Sequence, residues 1–126
     1  MKRILLCLIC IFSLLGSKAQ SYNELVEKAM DYTFKDSLQQ AEELFREALR
    51  LDPYNARNAL LFSNLGTVLK RQGKIDEAID SYTMALNITP YATAILLNRA
   101  TLYMEKNLTE KSLSGLLQCN RSLAER

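Results

Sequence analysis

Residues 59–90 read ALLFSNLGTVLKRQGKIDEAIDSYTMALNITP, and this stretch decides the fold. Leu61, Phe62, Leu65, Val68 and Leu69 recur at spacings of three and four. Ile75, Ala78, Ile79, Tyr82, Ala85 and Leu86 do the same. That is the helical period, one apolar stripe per helix. Gly73 with Lys74 ends the first stripe and Pro90 closes the second. Gly66 and Ala78 are small and lie inside the stripes, so they mark where the two helices approach closely.

The stretch resembles a tetratricopeptide repeat. The family pattern of a bulky residue, Leu-Gly, then Ala, an aromatic, Ala and Pro is met by Phe62, Leu65, Gly66, Ala78, Tyr82, Ala85 and Pro90. Residues 22–55 repeat it, with Leu25, Ala29, Tyr32, Ala41, Phe45, Ala48 and Pro53 at the family positions and Lys28 where Leu65 stands. The first helix is predicted over 22–34, with Asp36 or Ser37 capping the second. Pro53 and Pro90 stand 37 residues apart, about three more than the family's usual 34. Either the next helix begins a turn early, near Pro53 or Asn55, or the extra residues form a loop. Glu42 and Arg46 are expected to form an i,i+4 pair on the outer face.

A third repeat is read over 93–126. Leu96, Ala100 and Tyr103 fit its first helix, and Ser112, Leu116 and Cys119 hold the places of Ala78, Tyr82 and Ala85. Gly115 falls inside its second helix, Asn120 replaces Leu86, and no proline follows. The expectation is therefore an all-α, right-handed α-solenoid of three helix-turn-helix repeats at about 22–55, 59–92 and 93–126, six helices within a domain spanning 20–126. Three repeats are about the minimum for a continuous core. The last helix would serve as a polar cap or pair with another chain.

The chain has 126 residues and opens with Met1-Lys2-Arg3, an apolar run Ile4–Gly16, then Ser17-Lys18-Ala19. Positive start, short apolar core and small residues at the cut site predict a signal peptide over 1–19, cleaved after Ala19. The run is shorter than the roughly 17–25 residues of a membrane span, so no stable span is expected after cleavage. The predicted location is outside the cytoplasm, in a bacterial periplasm or secreted. Residues 1–19 carry Lys2, Arg3 and Lys18 and no acid. Without them, Lys plus Arg falls from 16 to 13 against 14 acids, a net charge of −1. No basic stripe remains to support nucleic-acid binding. Cys7 and Cys10 leave with the signal, and Cys119 alone cannot form an internal disulfide.

The sequence contains no histidine, which removes the commonest general base and metal ligand. Cys119 has no histidine to activate it and reads as a packed side chain. Glu42-Glu43 and Asp76-Glu77 are explained by helix first turns, where the dipole favours acids. Asn87, Asn107 and Asn120 begin N-x-[ST] triplets; Asn107 and Thr109 read as turn and cap residues. No catalytic residue, metal site or cofactor is expected.

The resemblance implies a concave groove lined by the first helix of each repeat, holding an extended peptide or partner helix. Its residues here would be Asn23, Val26, Met30 and Thr33; Leu60, Ser63, Asn64, Thr67, Lys70 and Arg71; and Ala94, Leu97, Asn98, Thr101 and Met104. Asn64 and Asn98 are equivalent, as are Thr67 and Thr101, and an amide can clamp a peptide backbone. Some family members hold a chaperone's C-terminal carboxylate with Lys, Arg and Asn. Only Asn64 matches that set, because Val26, Met30 and Ala94 replace the rest, so that activity is not implied. The expected function is an exported, non-enzymatic module binding a protein or peptide partner. The alternative is a short structural repeat protein acting by end-to-end docking or self-association through its last helix.

Overall fold

The computed structural model describes residues 2–4 and 20–125. Most of the segment read as a signal peptide lies outside these residues, as does the side chain of Cys119. Five helices follow in order: α1 Tyr22–Phe34, α2 Leu38–Leu51, α3 Asn58–Arg71, α4 Ile75–Ile88 and α5 Thr93–Ala124. α1 pairs with α2 and α3 with α4 as hairpins; α2 packs on α3, and α4 on α5. No described helix is long and apolar enough to cross a membrane.

Local chemistry explains the first helix. The Ser21 hydroxyl accepts from the Glu24 N–H at 3.3 Å, satisfying one of the orphan donors of the first turn, and Glu24 adds an acid there. α1 and α3 then end in the same way. After α1, the Asp36 N–H bonds the Thr33 carbonyl and the Ser37 N–H bonds that of Tyr32. After α3, the Gly73 N–H bonds the Lys70 carbonyl and the Lys74 N–H that of Leu69. These are Schellman closures, which require a left-handed residue. Gly73 supplies it at φ 78° and Asp36 at φ 61°. Ser37 is the residue before α2, but its side chain makes no capping bond.

The three extra residues form a loop, and α3 starts at Asn58 rather than near Pro53 or Asn55. The Asn55 amide donates to the Asp52 carboxylate at 2.9 Å, and its oxygen accepts from the Arg57 N–H at 2.9 Å. Asn58 is buried and used at both ends. It accepts from the Tyr22 hydroxyl at 2.9 Å and donates to the Asp52 carbonyl at 2.8 Å. The loop is thereby tied to the start of α1.

The core runs through both hairpins. Leu25, Ala29, Ala41, Phe45 and Ala48 meet Leu61, Leu65, Val68, Leu69, Ala78 and Tyr82. Each large side chain fully buried here contributes about 1.5–3 kcal/mol. Gly66 does face its partner helix closely, lying against the ring of Tyr82. Glu42 departs from the expected outer-face position. It is buried, and its carboxylate accepts from Arg46 at 2.9 Å, Gln72 at 2.9 Å and Lys74 at 2.8 Å. It therefore clasps α2 to the α3–α4 turn.

The third repeat does not close. α5 continues for 32 residues through the place where a turn was expected, so among the described residues 20–125 five helices and two hairpins replace the expected six and three. Asn107, in the register of Gly73, lies inside the helix, and the Thr109 hydroxyl bonds the Glu105 carbonyl at 2.9 Å; neither is a turn or cap residue. The contacts of α5 change accordingly. Leu102 is buried and Ile95 partly buried against the core. Leu96, Ala100 and Tyr103, which would face a second helix, are exposed, as are Ser112 and Leu116. A left-handed Asn107 would have to be offset by burial of the returning helix. With Ser112, Gly115 and Asn120 at the places of Ala78, Ser81 and Leu86, that helix lacks the small and bulky apolar residues that seat α4 on α3.

Candidate binding groove

α1 and α3 stand side by side, and a cavity of about 420 Å³ opens between them, lined by Met30, Thr33, Phe34, Phe45, Asn64, Thr67 and Arg71. Its size falls within the range of ligand sites, about 300–1,000 Å³. The helical period explains the selection. Met30, Thr33 and Phe34 lie on one side of α1, and Asn64, Thr67 and Arg71 on one side of α3.

The walls are apolar and the polar groups are already engaged. Phe34 is 91% exposed and Met30 50%, whereas Phe45 reaches the cavity from the core. Asn64 donates its amide to the Met30 sulfur at 3.3 Å, a weak acceptor. The Thr67 hydroxyl lies 3.0 Å from that of Tyr82 and 3.2 Å from the Ser63 carbonyl. Arg71 donates from Nη1 to the Thr33 carbonyl at 3.2 Å and from Nη2 to the Asp36 carboxylate at 2.6 Å.

Of the residues expected to line a groove, the structure brings Met30, Thr33, Asn64, Thr67 and Arg71 together. Val26 is not among them: it is buried in the core together with Tyr22, Leu25 and Ala29 of the same helix. Leu60 is exposed and Ser63 half-buried, outside this cavity. Lys70 reaches Glu105 at 3.8 Å. Asn23 accepts from Arg57 at 2.9 Å. On α5, Ala94, Leu97, Asn98 and Met104 are exposed and line no part of the cavity. The Thr101 hydroxyl bonds the Leu97 carbonyl at 2.9 Å. Asn98 thus does not join Asn64 in one site. Phe34 and Phe45 line the cavity and were missed by position alone. The available signal was an aromatic ending α1 just before a turn.

Elsewhere, ion pairs tie neighbouring elements: Arg46 to Glu77 at 2.9 Å and Lys106 to Asp76 at 2.7 Å. The Glu42 carboxyl is raised by burial, but the hydrogen bonds from Lys74, Gln72 and Arg46 outweigh this and hold it below the usual glutamate range.

A family model described as tetratricopeptide repeat matches residues 18–90, the two closed hairpins without α5. Human DnaJ homolog subfamily C member 7 is 38% identical over 74 residues, which are 58% of this chain and 15% of that protein. Human RNA polymerase II-associated protein 3 is 34% identical over 104 residues, 79% of this chain and 15% of that protein. The mouse form is 33% identical over 89 residues, 71% of this chain and 13% of the relative. The chain therefore spans less than a fifth of the length of these curated relatives. A crystal structure of a tetratricopeptide repeat protein from Parabacteroides merdae is 48% identical with a TM-score of 0.68, covering 76% of this chain and 38% of that one. With the helical pairs, their left-handed turns and the Gly66–Tyr82 contact all in place, the chain belongs to the tetratricopeptide repeat family.

Proposed function

We propose that the chain is an exported interaction module that holds an extended peptide segment of a partner protein between α1 and α3. The observation carrying this reading is the 420 Å³ cavity with Met30, Phe34 and Phe45 as its apolar wall and Asn64 on its rim. An apolar side chain of the peptide fills the cavity. A peptide carbonyl is a better acceptor for the Asn64 amide than the Met30 sulfur. The absence of histidine and the family's scaffolding character favour binding over catalysis. One relative is named for association with RNA polymerase II, which is in keeping with binding to proteins.

Selection from a random peptide library tests it. The wild-type chain should enrich segments with a central aliphatic or aromatic residue. Met30→Asp should weaken those peptides at least about tenfold, about 1.4 kcal/mol, whereas Leu97→Asp should not. If Met30→Asp binds like wild type, the groove assignment fails. Export is tested separately: the secreted or periplasmic protein should begin at Gln20, and recovery of an intact Met1 in the cytoplasm would refute it.

A second reading, self-association through the last helix, draws on the exposed Leu113, Leu116, Leu117 and Leu123 of α5. A concentration-independent monomer mass in sedimentation equilibrium would exclude it.

A further inference from the structure

Arg71 is the one charged residue lining the cavity among the described residues, and its charge is already matched. Nη2 meets the Asp36 carboxylate at 2.6 Å, and Nη1 meets the Thr33 carbonyl at 3.2 Å. A guanidinium–carboxylate bond is charge-assisted, and solvent screens this one because Asp36 is largely exposed.

The residue supplying that carboxylate is unusual for its place. Asp36 sits at φ 61° in the turn after α1, and Gly73 sits at φ 78° in the matching turn after α3. Glycine adopts this region freely, whereas a residue with Cβ does so at a cost. For the turn alone, Asp36 is the poorer choice. What it adds is a negative charge placed 35 residues away in sequence from the cation of the groove.

We infer that Asp36 sets the ligand preference of the groove: its carboxylate occupies Arg71 and so disfavours acidic segments. This rests on the groove reading above. Asp36 is covalently tethered beside Arg71, so it competes at an effective concentration that a free carboxylate in dilute solution does not match. An incoming acid must displace Asp36 or lie beside it, where like charges repel. The groove then takes neutral, apolar segments. Without the Asp36 charge, the same Arg71 becomes an anion site at the α1 end of the groove.

Two labelled probes read this out by fluorescence anisotropy: acetyl-Gln-Leu-Gln-Phe-Gln-Leu-Gln-amide, and the same peptide with every Gln replaced by Glu. They are titrated against the full chain, Asp36→Gly and Asp36→Asn. Glycine suits the left-handed turn, and asparagine keeps the side-chain size and tolerates it, so at least one variant retains the turn. Wild type should bind the neutral probe at least as well as the acidic one. Both folded variants should shift preference toward the acidic probe by about two- to fivefold at low salt, and adding Arg71→Gln should abolish the shift. An unchanged preference in the variants, with the neutral probe still bound, overturns this inference and leaves the groove reading standing. Wild type favouring the acidic probe overturns it equally. If neither probe binds any of the proteins, the groove reading falls and takes the inference with it.

Discussion

Gly66 lies against the ring of Tyr82 so closely that a Cβ on the glycine would stand 2.8 Å from Cε1 and 2.9 Å from Cδ1. Tyr82 is buried and cannot swing away. Gly66→Ala therefore overpacks the α3–α4 hairpin, at about 1–3 kcal/mol, offset by about 1 kcal/mol of helix propensity. A net loss of up to about 2 kcal/mol is expected in urea denaturation. Tyr82→Leu removes the obstructing ring, so the double variant should lose less than the sum of the two single losses.

The same exchange at Gly115 should have the opposite sign. Nothing lies within 4 Å of a Cβ built there, and the residue is in mid-helix. Gly115→Ala should raise helicity and stabilise α5 by up to about 1 kcal/mol, visible as greater protection of its amides in hydrogen exchange.

Leu102 seats α5 on the rest of the molecule. Among the described residues it is the only buried hydrophobic of that helix. Leu102→Ala should cost about 2–5 kcal/mol, and hydrogen exchange should show α5 released while α1 and α2 stay protected.

Asn58 is the buried link between α1 and the α2–α3 loop. Replacing it with alanine leaves the Tyr22 hydroxyl and the Asp52 carbonyl without their partner. A loss of about 1–3 kcal/mol is expected in thermal or urea unfolding.

Glu42 predicts a pH dependence. Its carboxyl is lowered in the folded chain, with burial opposing and the Lys74, Gln72 and Arg46 bonds prevailing. The unfolded chain therefore binds this proton more readily. The contribution is fully present above the ordinary glutamate pKa of about 4.3, and is lost as pH falls through the lower folded value. Urea midpoints taken from pH 7 to pH 3 should show wild type losing more stability than Glu42→Gln.

The first four helices were legible because their information is local. Apolar spacing predicts α1 over the residues it occupies, and Gly73 marks a turn. The expected third hairpin had the same period, yet α5 runs straight. Helical periodicity is identical in a continuous helix and in two helices joined by a turn. Asn107 is compatible with both states, and the outcome depends on the surface that Ser112 and Leu116 could bury. Of the residues that the family resemblance places on a groove, Met30, Thr33, Asn64, Thr67 and Arg71 line the cavity between α1 and α3. Val26 is buried instead, because what packs over its side of α1 is set by tertiary contacts and not by its own helix.

The sequence by itself determined that α1 to α4 are helices and which stripe of each is apolar, because backbone propensity and the 3.6-residue period act over a few residues. Only the tertiary structure decided what those faces meet. It buried Glu42 under three donors from two elements, tied Tyr22 to Asn58, and set Asp36 on Arg71. Each of these pairings except Glu42–Arg46 joins residues at least thirty positions apart. Their strength comes from a geometry and a desolvation that exist only once the helices have packed.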